Sequence, residues 1–474
     1  MLFKRFYDDN LAQASYLIAC EHTREAIVVD PNLDIGQYIR AAGAERVRIT
    51  NVTETHVHAD FVSGAQALAA ATGAKLHLSA EGAKDWGYTS EALEHAQALR
   101  DRSEISFGKV RLRAAHTPGH TPEHLTFLVS DLERGPEPVG ALTGDFIFVG
   151  DVGRPDLLEL TAGARDTTKR LAAELYRSLS EFKQRPDHLQ IWPGHGAGSA
   201  CGKSLGSMPQ STLGYERLFN WAFAEMSEAD FVRRVLEDQP VPPRYFAAMK
   251  ETNRGAQPAS PPQIVPRELG FDALETALRK GATVVDTRAA ERFAGGHIPG
   301  TLNIPRNKSF LNWCGALIPG TDDLYLITDA ESDEAIKLLF SDLAKIGISN
   351  VRGYFGHRIF ADWASTLGKL EEVHQLDATQ LSVAAKGKDV QVVDVRSPDE
   401  WRRGHLPGAI HIPLAALPDR IGELDASAPI VFHCQGGGRS AIATSFVQAR
   451  GIANVSNLVG GYVAWVKSGF KVAK

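Results

Sequence analysis

The sequence predicts a multidomain α/β protein, and three observations carry that prediction. The chain has 474 residues, too many for one hydrophobic core, so about three domains are expected. Residues 1 to about 150 alternate short apolar runs with turns, the pattern of strands, and helical periodicity interleaves with them. The C-terminal half repeats itself. Val284-Val285-Asp286-Thr287-Arg288 recurs as Val392-Val393-Asp394-Val395-Arg396, and Gly296-His297-Ile298-Pro299-Gly300 as Gly404-His405-Leu406-Pro407-Gly408, both displaced by 108 residues. A repeat of that length, with strands alternating with helices, reads as a duplicated βα-rich domain.

Taken in order, Ala26–Val29, Lys75–Leu78 and Leu125–Val129 read as strands, and about 61–73 and 163–184 as helices. Three histidines follow strands on loops: His56 after Val47–Val52, His120 after Val110–Leu112 and His195 after Leu189–Trp192. Ligands at strand ends can converge on one edge of a rigid sheet. From about 211 to 250 the pattern turns helical. The stretch Asn253–Gln263 then gathers Gly255, Pro258, Ser260, Pro261 and Pro262, which cannot continue a helix and read as a linker. The expected domains are 1–252, a linker at 253–264, 265–372 and 373–474.

Composition excludes some functions. A net charge of -6 and a pI near 6.3 argue against nucleic acid as the main partner, while leaving small anionic substrates open. Cys20, Cys201, Cys314 and Cys434 are too few and too dispersed for a disulfide framework and fit a reducing compartment. The N-terminus lacks the apolar core of a signal peptide, and no stretch approaches a membrane span. A cytoplasmic protein without membrane contact is expected.

The most informative stretch is Thr55-His56-Val57-His58-Ala59-Asp60-Phe61. Two imidazoles and a carboxylate in five residues form a costly buried cluster unless a cation binds. Pro118-Gly119-His120-Thr121, Gly144-Asp145 and Pro193-Gly194-His195 follow in order. This series, HxHxD, PGHT, GD and PGH, resembles the metallo-β-lactamase superfamily over roughly residues 1–250 and implies its αββα sandwich. In two-metal members the first motif ends in a further histidine. Here that position is Phe61, so the resemblance implies a site for one metal. Zinc on His56, His58 and His120 is one possibility. The persulfide dioxygenase branch resembles the chain more closely and implies one Fe(II) per chain on His56, His120 and Asp145. Three ligands on one face leave positions for dioxygen and substrate sulfur. His58, Asp60 and His195 would then orient ligands or bound water. A lone buried histidine is more often a satisfied core residue, and His22, His77, His95, His116, His124 and His188 are left as such.

Two nearby loops add candidates. In Gly153-Arg154-Pro155-Asp156 the resemblance places Arg154 near the substrate, against the plainer alternative of a pair with Asp156. Gly196–Ser204 imitates a phosphate loop, but Ala197 stands where the spacing needs Gly, so nucleotide binding is rejected. Cys201 and Lys203 are expected to play ordinary loop roles, and Cys20 and Cys314 to be incidental thiols.

Near the other end, the apolar strand Ile430–His433 runs into Cys434-Gln435-Gly436-Gly437-Gly438-Arg439-Ser440 and an apolar helix from about Ala441. Glycines let backbone N–H groups curl around the sulfur, and the helix N-terminus and Arg439 add positive potential, so a thiolate or persulfide anion is stabilised. With Asp394-Val395-Arg396, Gly404–Ala409 and Gly460–Trp465, this resembles the rhodanese sulfurtransferases. The resemblance makes Cys434 and Arg439 catalytic and Gln435, Gly436, Gly437, Gly438 and Ser440 substrate-binding. A Cys-loop phosphatase would need arginine six residues after the cysteine, whereas Arg439 lies five after Cys434. The first repeat carries Asp329 in place of the cysteine and Ala330–Glu334 in place of the glycine loop, so no sulfur transfer is expected there. The combined resemblance implies oxidation of a low-molecular-weight persulfide with dioxygen, sulfur exchange with sulfite or thiosulfate, and a homo-oligomer. The rivals are a two-zinc glyoxalase-II-like hydrolase and a sulfur relay without oxygenase activity.

Overall fold

A computed structural model describes residues 1–474 except 83–85, 164–165, 204, 240, 256–264, 321 and 386–389 and the side chains of 161 and 162. The chain divides into two compact units, one essentially Met1–Gln263 and the other running from Ile264 to Lys474 apart from Ala344–Gly347. The expected linker, 253–264, lies largely outside the described residues. Its first two residues are helical, because Tyr245–Arg254 continues past the expected limit.

The first unit contains two six-stranded sheets. In one, Leu2–Asp8, Gln13–Ala19 and Glu25–Val29 form an antiparallel run, and Arg48–Thr53 and Lys75–Ser79 extend it in parallel. In the other, Glu104–Phe107, Val110–His116, Leu125–Asp131 and Gly140–Gly144 are antiparallel, and Gln190–Pro193 lies parallel to the last of these. Alternating side chains of both sheets, among them Tyr16, Ile18, Ile27, Leu112, Phe127 and Leu142, form the shared core. Helices Ile35–Glu45 and Ala65–Thr72 cover one outer face, and Thr167–Phe182 and Glu228–Leu236 the other. This is the expected αββα sandwich. The ligand-bearing loops follow Arg48–Thr53, Val110–His116, Gly140–Gly144 and Gln190–Pro193, and their side chains converge.

The second unit confirms the repeat. Its four-stranded sheet pairs Thr283–Asp286 in parallel with Leu302–Asn303 and Leu324–Ile327, which pairs with Val351–Phe355. Its five-stranded sheet has the same order, with Gln391–Asp394 between Ile410–His411 and Ile430–His433, followed by Val455–Leu458 and His374–Leu376. The helix after Cys434 begins at Gly438, three residues earlier than expected. In both repeats the Asp-x-Arg motif is a buried ion pair. Arg396 donates to both carboxylate oxygens of Asp394 and to Gly404 O, and Arg288 does the same with Asp286 and Gly296 O. No helix among the described residues is long and apolar enough to cross a membrane.

Candidate metal centre and sulfur-transfer site

The metal motifs converge. One ligand atom each of His56, His120 and Asp145 lies within 4.8 Å of the others, and all three residues are buried. His56 Nε2 is 4.0 Å and His120 Nε2 3.5 Å from Asp145 Oδ2. Each imidazole is oriented through its other nitrogen: His56 Nδ1 meets Thr55 Oγ1 at 2.9 Å, and His120 Nδ1 meets Arg154 O at 2.9 Å. That arrangement turns both Nε2 atoms toward Asp145. Gly153 passes so close that a Cβ there would lie 1.8 Å from Asp145 O.

The donors fit a cation. Both oxygens of Asp145, Asp60 Oδ1 and His195 Nε2 are buried without a hydrogen-bond partner, an arrangement that costs free energy unless something binds. Burial pushes the Asp145 carboxyl up to about 6, His195 draws it back, and the Asp60 charge adds to the rise. Burial lowers His120 to about 3 and, with neighbouring imidazoles, lowers His56 as well. Both rings are therefore neutral, as a metal requires.

His58 is placed differently. Its Nε2 is 3.1 Å from Asp30 Oδ1, and its ring packs against Phe61 with centroids 4.4 Å apart. Burial alone would lower it, but Asp30 outweighs burial and holds it at about 9. Its Nδ1 is buried without a hydrogen-bond partner, and the residue stands outside the group formed by His56, His120 and Asp145. Asp60 and His195 form a second cluster, with Nε2 and Oδ2 3.2 Å apart, and Cys201 completes it. The Cys201 thiol is raised by burial and by the charges of Asp60 and Asp145.

Of the two partners open to Arg154, the structure shows Asp156. Arg154 is fully buried, and its guanidinium donates to both oxygens of Asp156 and to Ala200 O, while its own carbonyl faces His120. Arg154 ties the Asp145 and Cys201 loops together. Lys203 Nζ turns to Arg234 O and Glu237 O.

At the sulfur-transfer loop, Gly437 N–H donates to Cys434 Sγ at 3.1 Å and Ser440 Oγ stands 3.5 Å away. Gly437 has φ +102°, a conformation that glycine adopts without strain. Arg439 donates to both oxygens of Glu400 at 2.7 Å. The first repeat shows the contrast: Asp329, at the cysteine position, is paired with Arg292 at 2.6 Å.

The model of the metallo-β-lactamase superfamily matches residues 8–195, and the rhodanese-like domain model matches 271–356 and 377–468. A crystal structure titled metallo-β-lactamase from Staphylococcus aureus aligns over 75% of this chain and 99% of its own, at 40% identity and TM-score 0.67. The chain belongs to the metallo-β-lactamase superfamily and carries two rhodanese-like domains. A sulfurtransferase of Allochromatium vinosum is 34% identical over 21% of this chain and 94% of its own length. The persulfide dioxygenase ETHE1 of Bos taurus is 27% identical over 41% of the chain and 68% of its own. Hydroxyacylglutathione hydrolases also match this metallo-β-lactamase-superfamily chain, at 34% identity over 38% of it in Nitrosococcus oceani.

Several residues that shape this site were not anticipated. Asp30 accepts from Thr55 N, Thr55 Oγ1 and His58, so it fixes the whole motif loop. His124 Nε2 accepts from Asp145 N. Asn253, expected in a linker, donates to His58 O and Phe61 O and accepts from Ser63 N, while Tyr245 donates to Asp60 O. The only advance sign was for Glu400, the third residue after Ser397 in a capping box.

Proposed function

We propose that this chain oxidises a low-molecular-weight persulfide to sulfite with dioxygen and moves sulfane sulfur through Cys434. The observation that carries the reading is the buried triad of two neutral imidazoles and one unpartnered carboxylate in a chain that also holds a glycine-wrapped thiol. The proposed domains are 1–252 for oxidation, extended by the helical residues 253 and 254, the rest of 253–264 as linker, 265–372 as a rhodanese-like domain without a nucleophile, and 373–474 for sulfur transfer. The four free cysteines agree with a reducing, cytoplasmic setting.

One Fe(II) on His56, His120 and Asp145 would supply dioxygen binding and an anionic sulfur's coordination site. The residues of the chain hold the rest. Thr55 and the Arg154 carbonyl fix the two imidazoles, His124 fixes the Asp145 backbone, and Asp60 and His195 border the site from the other side. The reaction balances as RSSH, O2 and H2O giving RSH and H2SO3. At Cys434 the thiolate attacks the outer sulfur of thiosulfate, forming a Cys434 persulfide and releasing sulfite. A small thiolate then takes that sulfur and frees Cys434. The reverse sequence makes thiosulfate from sulfite.

Iron-loaded protein given glutathione persulfide should consume oxygen, and Cys434→Ser should retain that uptake while losing sulfur transfer. Uptake lost in Cys434→Ser would overturn the division of labour. One observation favours a second reading, a two-metal thioester hydrolase: Asp60, His195 and Cys201 form another donor group. Two zinc ions per chain, with thioester hydrolysis and no oxygen uptake, would establish that alternative.

A further inference from the structure

His124 is outside the group of His56, His120 and Asp145, yet it touches all three loops that carry them. It is fully buried and directly precedes the strand Leu125–Asp131. Its ring stacks on that of His56, with centroids 5.1 Å apart and planes inclined by 26°. Its Nε2 accepts from Asp145 N–H at 3.2 Å. Its Nδ1 meets Thr117 Oγ1 at 2.9 Å, on the loop that carries His120, and Thr117 Oγ1 meets Thr126 Oγ1 at 2.9 Å. The backbone repeats the pattern. His124 O accepts from Thr117 N–H at 3.0 Å, and Leu125 N–H donates to Thr55 O at 2.7 Å, beside His56. Gly144 passes so close that a Cβ there would lie 2.8 Å from His124 Nε2.

The partners decide which nitrogen carries the proton. A backbone N–H aimed at Nε2 needs a lone pair there, so the ring proton is on Nδ1 and Thr117 Oγ1 accepts it. The Thr117 hydroxyl is then free to donate to Thr126. Turning the ring over would strand the Asp145 N–H and the Thr117 hydroxyl in a buried setting, which is costly. We propose that His124 is a positioning residue of the metal centre: its ring, locked by Thr117, holds Asp145 and the ring of His56 in the arrangement that a cation needs. The proposal rests on the reading of His56, His120 and Asp145 as metal ligands.

The test uses the full chain and Co(II) alone. Chelator competition gives the dissociation constant, and the visible spectrum reports the ligand geometry. His124→Gln sets an amide oxygen near the place of Nε2, where it can accept from Asp145 N–H. His124→Asn reaches only the place of Nδ1, and His124→Phe keeps the ring and its stacking but accepts nothing. Losing a hydrogen bond that orients a ligand typically weakens metal binding roughly 10- to 100-fold. His124→Asn and His124→Phe should show that loss with an altered spectrum, whereas His124→Gln should restore most of the affinity and the wild-type spectrum. Equal losses in all three variants would show a packing role and overturn the proposal, as would unchanged constants in His124→Asn and His124→Phe. Thr117→Val, nearly isosteric, decides the matter if the His124 variants fail to fold. It should bind Co(II) about fivefold more weakly, as one lost hydrogen bond predicts, and unchanged binding overturns the proposal. Absence of Co(II) binding in the wild type, or binding that survives His56→Ala together with Asp145→Ala, refutes the underlying ligand assignment and removes the proposal with it.

Discussion

Asn253→Ala should weaken metal binding without touching a ligand. Asn253 is 1% exposed and makes three hydrogen bonds to the loop that carries the first ligand motif: to His58 O at 2.8 Å, to Phe61 O at 2.6 Å and from Ser63 N at 2.9 Å. Truncation removes all three and leaves the backbone groups in a dry setting. Each lost bond contributes about 1 kcal/mol net, and more where the stranded group stays buried, so about 3 kcal/mol is a working figure. Where the slackened loop has to be reordered as metal binds, that loss becomes a roughly 100-fold weaker dissociation constant. Chelator competition measures the constant, and thermal midpoints of metal-free and loaded protein separate the effects. The coupling predicts a larger fall in midpoint for loaded protein than for metal-free protein. Equal falls with an unchanged dissociation constant would refute it and leave Asn253 as a packing residue.

Phe61→His should raise the metal count from one per chain to two by elemental analysis, and full second-site occupancy in the wild type would refute the argument from Phe61. Asp394→Ala and Asp286→Ala should each destabilise their domain by about 3–5 kcal/mol, because each strands a buried guanidinium; loss of activity with unchanged denaturant midpoints would contradict a structural role. Glu400 is held at about 2, below the usual 4.5, because the hydrogen bonds and charge of Arg439 overcome the opposing effect of burial. Its folded value is depressed, so its stabilisation, roughly 2–3 kcal/mol with allowance for partial exposure, is present above about pH 4.5 and fades toward pH 2. Glu400→Gln should flatten stability across that window, and equal acid sensitivity in both proteins would refute the assignment.

The order of metal motifs, the strand-to-loop placement of His56, His120 and His195, and the duplicated C-terminal half were all legible in the sequence, because each is a local pattern. What escaped depends on distance along the chain. Asp30 lies 25 residues before Thr55 and reaches it only through parallel pairing of Glu25–Val29 with Arg48–Thr53. Asn253 was hidden by the prolines that follow it, which describe the next segment and not its own helix. Cys201 sits among glycines and serines with no periodicity to announce burial, yet it packs beside Asp60 and His195. For Arg154 the sequence offered two partners, and burial decided for Asp156, since a guanidinium without solvent needs a fixed counter-ion.

The two repeats separate what the rhodanese-like fold needs from what its chemistry needs. Both keep the Asp-x-Arg ion pair, although only one keeps a cysteine, so the pair serves the strand end and the loop beyond it in either case. What the first repeat lost is confined to the tip. Asp329 occupies the cysteine position and is neutralised by Arg292 from the neighbouring helix. That pairing makes the tip a poor site for a sulfur anion, since Arg292 is already engaged and the residue at the cysteine position is a carboxylate. Glu291, one position before Arg292, lines the cavity beside the active loop. One short helix thus provides a residue that engages the carboxylate in the lost site and a residue that borders the retained one.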